Sequence, residues 1–313
     1  MKLTLSILLS TTLIAMSALP LGTLTINTGS QPGKFPVTDP SGWPAGYTSV
    51  GFAITCPDVA GSIVGFFATG EPEGTEQGTI VLLSGNQGTT YYTEQDAALP
   101  DWVNGWRANG WRVIQIRWKS NWWQSSVGDA AGMFRLGCRP ATALSYLHSI
   151  YGPLRIHGNS AGGSQIGYAL AFYGADDWLS HAVISGGPPH SDLPAVTIGH
   201  DVSLWFSTNK LKLLDKAWGI WLNGPAVNRN ETWEPTWRVH SIAFGGNDYS
   251  HPDTALTMIQ GERDPDMIAL GSRYGSRLNE MHILAWSVIP NTGHGVYETA
   301  AGRAAIEGAL LAP

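Results

Sequence analysis

The segment Leu154-Arg155-Ile156-His157-Gly158-Asn159-Ser160-Ala161-Gly162-Gly163 constrains this 313-residue chain more than any other. A short apolar run leads into Gly-x-Ser-x-Gly, and Tyr168-Ala169-Leu170-Ala171-Phe172-Tyr173 continues beyond it with helix-forming residues. A serine flanked by glycine two residues away on either side fits a sharp, strained turn from strand to helix, because those flanking positions carry no Cβ. Such a turn lifts the hydroxyl above the end of a sheet. The helix N-terminus then favours negative charge developing beside it.

Apolar runs of strand length alternate with helix-length segments on both sides of this junction. Strands are expected at 79–83, 112–118, 154–157, 181–185, 256–260 and 284–289, and helices at about 97–109, 141–147 and 160–173. That alternation implies βαβ units, hence an α/β fold with a mostly parallel central sheet flanked by helices. The Gly- and Pro-rich residues 23–77 read as an antiparallel β entry to the same sheet. The interval 186–249 breaks the rhythm. It is too long for an ordinary connection and holds Trp205, Trp218, Trp221, Trp233 and Trp237. A Trp-rich cap or lid over about residues 187–249 is expected, with helices packed outside the sheet, far from chemistry, as the alternative.

Charged residues are only 13% of the chain, about half the share usual in soluble domains, while apolar residues reach 43%. The net charge of −6, with no basic run, gives no electrostatic ground for a nucleic-acid partner. Residues 1–22 read as an export signal and 23–313 as the domain. Lys2 supplies the positive start, residues 3–16 are apolar but short for a bilayer span, and Ala15-Met16-Ser17-Ala18 offers small residues for cleavage. An uncleaved anchor is the alternative. No later segment is apolar for long enough to cross a membrane, so a secreted protein, extracellular or periplasmic, is expected. In an oxidising compartment Cys56 and Cys138 permit one disulfide, two buried free thiols being the alternative.

A serine hydroxyl needs a base, and the base needs an orienting acid. Gly261-Glu262-Arg263-Asp264-Pro265 follows the penultimate expected strand, and Asn291-Thr292-Gly293-His294-Gly295 follows the last. With the segment around Ser160, these resemble the nucleophile elbow, acid turn and histidine loop of the α/β-hydrolase superfamily, over about residues 78–310. The resemblance implies an α/β-hydrolase fold with Ser160 as nucleophile, His294 as general base and Asp264 as the acid that orients it. Glu262, Asp266, Asp192 and Asp248 are the other carboxylates considered for that role. An ordinary helix cap at Ser160 and a plain loop histidine at His294 are the bland alternatives.

The resemblance further implies two backbone donors for an oxyanion. One is Ala161. The other comes from Ser84-Gly85-Asn86-Gln87-Gly88, with Asn86 preferred over Gln87. The family often carries His-Gly in this loop, and Ser84 stands in place of that histidine. Trp122 and Trp123 follow the C-terminal end of a strand, the edge on which ligands sit, and are candidates for the substrate wall. Packing is the reading for most of the fourteen tryptophans. His181, His190, His200, His240, His251 and His282 lack the close pairings of zinc motifs, so no metal site is expected. The reaction expected is hydrolysis of a small-molecule or polymeric carboxylic ester through an acyl-enzyme, without metal or organic cofactor. A serine peptidase of the same fold and a non-catalytic binding module are the alternatives, and the intact serine, acid and histidine set argues against the second.

Overall fold

A computed structural model describes residues 18–29, 35–199, 206–279 and 281–313. Residues 1–17 of the expected export signal 1–22, together with His200 and Trp205, lie outside the described residues, as does the side chain of His282. The chain runs β1 (Thr23–Ile26), β2 (Thr48–Thr55), β3 (Ser62–Gly70), β4 (Gly78–Leu83), α1 (Leu99–Ala108), β5 (Trp111–Trp118), α2 (Gly132–Leu136) and α3 (Cys138–Tyr151). It continues through β6 (Leu154–Asn159), α4 (Ala161–Tyr173), β7 (Leu179–Ser185), α5 (Leu193–Ile198), α6 (Thr208–Asp215), α7 (Glu234–Val239) and α8 (Ile242–Gly245). β8 (His251–Gly261), α9 (Pro265–Gly275), β9 (Met281–Ile289) and α10 (Ala300–Leu310) complete it.

Among the described residues nine strands form one sheet in the order β1-β2-β3-β5-β4-β6-β7-β8-β9. β1, β2 and β3 join antiparallel, and every pairing from β5 to β9 is parallel. Strand β4 shows why the sheet must be covered twice. Ile80 and Leu82 point into a core shared with Val103 and Trp106 of α1 and Ile306 of α10, whereas Val81 and Leu83 point into one shared with Leu144 of α3 and Ile166 of α4. Side chains alternate across a strand, so a continuous apolar run needs helices on both faces. Every residue of α4 is buried, because the helix lies between the sheet, α3 and the returning insertion. Its polar residues are accommodated: Gln165 accepts from Trp118 Nε1 at 2.9 Å, and Tyr168 donates to the His240 carbonyl at 2.8 Å.

Several boundaries shift from expectation, among them the starts of α3 and β8. α3 starts at Cys138 with Pro140 in its first turn, where a missing N–H costs nothing. β8 begins at His251, five residues ahead of the expected strand, since Pro252 and Asp253 break the apolar run and the register shifts between His251 and Ala255. Cys56, just past β2, and Cys138, the first residue of α3, form a disulfide with Cα atoms 6.1 Å apart. Between β7 and β8 the described residues hold helices and no strand. Trp218, Trp233, Trp237 and His240 pack there as one aromatic group over α2. Among the described residues, no helix is long and apolar enough to cross a membrane.

Candidate active site

Ser160 sits between β6 and α4 with φ 55° and ψ −123°, a conformation that L-residues rarely adopt and that a surrounding structure must impose. The flanking glycines allow it. A Cβ on Gly162 would stand 2.4 Å from the Leu83 carbonyl oxygen, and one on Gly158 would stand 2.4 Å from the Gly162 carbonyl carbon. Strand β4, the elbow and the first turn of α4 therefore approach closer than any other residue permits. Beneath the elbow, His157 Nε2 meets Ser185 Oγ at 2.9 Å and Ser185 Oγ donates to Asn159 Oδ1 at 2.8 Å. Burial pushes the His157 imidazole down to about 3, so it stays neutral as a fixed part of the floor.

The turns after β8 and β9 bring the other two groups to the serine. His294 Nε2 lies 2.8 Å from Ser160 Oγ, and His294 Nδ1 lies 2.6 Å from Asp264 Oδ2. A carboxylate oxygen can only accept, so Nδ1–H donates to Asp264 and Nε2 is left to accept from the Ser160 hydroxyl. This arrangement can take a proton from the hydroxyl and hold the resulting imidazolium. The two turns are clamped together. Arg263 N donates to the Thr292 carbonyl at 2.9 Å, Asn291 N to Glu262 Oε2 at 2.8 Å, and Arg263 Nη2 to Asn291 Oδ1 at 2.8 Å. Gly261 is required at this junction, because its Cβ would meet the Gly293 carbonyl oxygen at 2.1 Å.

Three of the four competing carboxylates lie or are engaged elsewhere. Glu262 serves the clamp, Asp192 caps α5 and pairs with Arg273, and Asp248 lies near the opposite edge of the sheet beside β8's first residue. Asp266 lines the cavity beside His294.

The loop after β4 runs alongside the serine, with Gly85 against Ser160 Cβ, and Asn86 adopts φ 54°. Gly85 N donates to Gln95 Oε1 and Gly88 N to the Gly85 carbonyl. Among the described residues, the N–H groups of Asn86, Gln87 and Ala161 pair with no other backbone group. Asn86 and Ala161 line the same small cavity as Ser160 and His294, whereas Gln87 does not. Of the two tryptophans, Trp123 reaches that cavity. Trp122 does not: it has no exposed surface and is buried between Trp123, Tyr168 and His190.

Residues that the sequence pattern did not flag complete the wall. Phe206, Lys210 and Leu213, from α6 and the segment before it, and Met267 of α9 line the same cavity as the serine. An adjoining cavity of about 440 Å³ is lined by Val196, Phe206, Met267 and Leu270, with Lys210 and Asp266 also on its wall. No local signal marks them; only their place after β7 and β8, at the carboxyl edge of the sheet, could have drawn attention.

No protein-family model matches the sequence, and no curated protein matches it. Solved structures do resemble the fold. A probable hydrolytic enzyme from Pseudomonas aeruginosa PAO1 aligns at TM-score 0.53 and 14% identity, over 85% of this chain and 96% of that one. Est1E from Butyrivibrio proteoclasticus with ferulic acid bound aligns at TM-score 0.53 and 12% identity, over 82% and 96%. An acylaminoacyl peptidase in complex with a peptidyl chloromethyl ketone aligns at TM-score 0.51 and 13% identity, over 83% of this chain but only 40% of its own length. At such identities the likeness speaks for architecture, and with the sheet order and the elbow it is sufficient for that: the chain has the α/β-hydrolase fold.

Proposed function

We propose that this protein is an exported serine hydrolase that cleaves carboxylic esters through an acyl-enzyme. The observation that carries the reading is the line Ser160–His294–Asp264, with contacts of 2.8 and 2.6 Å, at a serine held at φ 55°. In this mechanism Ser160 Oγ attacks the ester carbonyl while His294 Nε2 takes its proton. The imidazolium formed is stabilised by Asp264. The tetrahedral oxyanion receives the N–H groups of Ala161 and Asn86. Collapse expels the alcohol with the proton from His294, and water repeats the sequence to release the acid.

The apolar walls from Phe206, Leu213, Met267 and Leu270 support an ester with an apolar or aromatic acyl or alcohol group. Ferulic acid on Est1E, a protein of like fold, agrees with an aromatic acid as one candidate. The segment at about 187–249 acts as the cap, since Phe206, Lys210 and Leu213 within it border the serine. Export through residues 1–22 accords with the Cys56–Cys138 disulfide.

The test is hydrolysis of p-nitrophenyl esters from acetate to palmitate by the wild type and Ser160→Ala together. The wild type should turn over, and the variant should lose at least about three orders of magnitude in kcat. Equal rates from both would remove Ser160 from the mechanism. Equal inactivity of both, with cleavage of blocked peptides by the wild type alone, would replace the ester by an amide.

A further inference from the structure

At the edge of the sheet opposite Ser160, three side chains with metal-ligand chemistry converge. His251 opens β8, Asp176 lies on the short turn Ala175–Asp177 between α4 and β7, and Asp248 closes the insertion just before β8. One ligand atom from each lies within 4.8 Å of the other two, and His251 Nδ1 stands 3.9 Å from Asp176 Oδ1. The His251 side chain has no exposed surface, yet neither of its ring nitrogens has a hydrogen-bond partner. Buried polar atoms are nearly always partnered, so an imidazole orphaned at both nitrogens calls for an explanation. His190 shares this condition but is enclosed by the rings of Trp122, Trp123, Tyr168 and Phe206, whereas His251 faces two carboxylates. Among the described residues no lysine or arginine pairs with Asp176 or Asp248, and Asp177 and Asp253 add negative charge around Asp176.

We propose that Asp176, Asp248 and His251 bind one divalent transition-metal cation, with zinc the best chemical match. One imidazole nitrogen and two carboxylate oxygens suit zinc, with water as a fourth ligand, whereas calcium and magnesium favour all-oxygen sets. The cation has a structural task. β8 is eleven residues long, which puts the site roughly 30 Å from the Asp264 turn at its other end. Binding ties together the turn before β7, the end of the insertion and the first residue of β8, the place where the insertion rejoins the sheet. Thr254 of β8 already reaches the first of these pieces, donating to the carbonyls of Leu179 at 2.8 Å and Asp176 at 3.5 Å.

The full chain, stripped with EDTA and dialysed, is titrated with zinc chloride by calorimetry and melted with and without zinc. One site with a dissociation constant below about 10 μM and a Tm raised by several degrees is expected. Because His251 is buried and its replacement could unfold the chain, the variants are Asp176→Asn and Asp248→Asn, each checked for an unchanged circular-dichroism spectrum. Each should bind zinc at least tenfold more weakly and lose the rise in Tm. No heat with the wild type overturns the proposal. So does undiminished affinity in both variants, which would put the zinc elsewhere, for example at the exposed His294.

Discussion

A methyl group on Gly162 would stand 2.4 Å from a backbone oxygen of β4, and a backbone cannot swing away as a flexible side chain can. Gly162→Ala should therefore cost about 1–3 kcal/mol of stability, the range for strain at a close-packed backbone. Gly105 is the control. It lies on the exposed face of α1 with nothing within 4 Å of its Cβ position, so Gly105→Ala should gain about 0.5–1 kcal/mol by helix propensity. Urea unfolding of the two variants beside the wild type measures both, and coincident midpoints for Gly162→Ala and the wild type would sink the close-approach account. These two glycines look alike in the sequence. Gly162 stood out only because it shares a pattern with Ser160.

At the scale of elements, the disulfide pins the end of β2 to the start of α3 across 82 residues of chain. Closing a loop of that length in the unfolded state is worth about 4.5 kcal/mol by chain entropy, and strain or residual structure commonly pulls the net figure down to about 2–4 kcal/mol. The double variant Cys56→Ala/Cys138→Ala should unfold at a correspondingly lower denaturant concentration than the wild type, and the wild type should match it once reduced. A wild type indifferent to reductant would show that β2 and α3 hold each other without the bond. The strand segments were legible as elements because each is an apolar run bounded by turn residues. The opening of β8 was not legible, since Pro252 and Asp253 look like loop, and only pairing with β7 and β9 makes a strand of that stretch.

Acid should destabilise the whole molecule. Burial holds the imidazoles of His157, His190 and His240 down at about 3 each, below the roughly 6.5 of an unfolded histidine. The unfolded chain thus binds more protons, so this stability is fully present above about pH 6.5 and is lost as pH falls from there toward 3. At pH 5 each histidine costs on the order of 2 kcal/mol, and three together approach the net stability of a typical domain. Urea titrations at pH 7.5 and pH 5 should show the folding free energy falling by several kcal/mol. An unchanged value would mean that these histidines reach water or a proton acceptor when charged.

The α/β class, the parallel sheet and the strained serine turn followed from sequence alone, because each rests on short-range physics: alternation of apolar runs, and the steric needs of a few consecutive residues. That Ser160, Asp264 and His294 would come together was legible for a related reason, since strand ends in this fold deliver their loops to one edge. Partner choice was decided only by tertiary structure. Asp264 rather than Asp192 or Asp248 meets His294 because the Gly261 and Gly293 backbones touch and the two turns are clamped. Trp123 rather than its neighbour reaches the cavity because the core has claimed Trp122, which is enclosed by Trp123, Tyr168 and His190. Asp176, distant in sequence from Asp248 and His251, joins them only through the adjacency of β7 and β8, a contact that no spacing along the chain encodes.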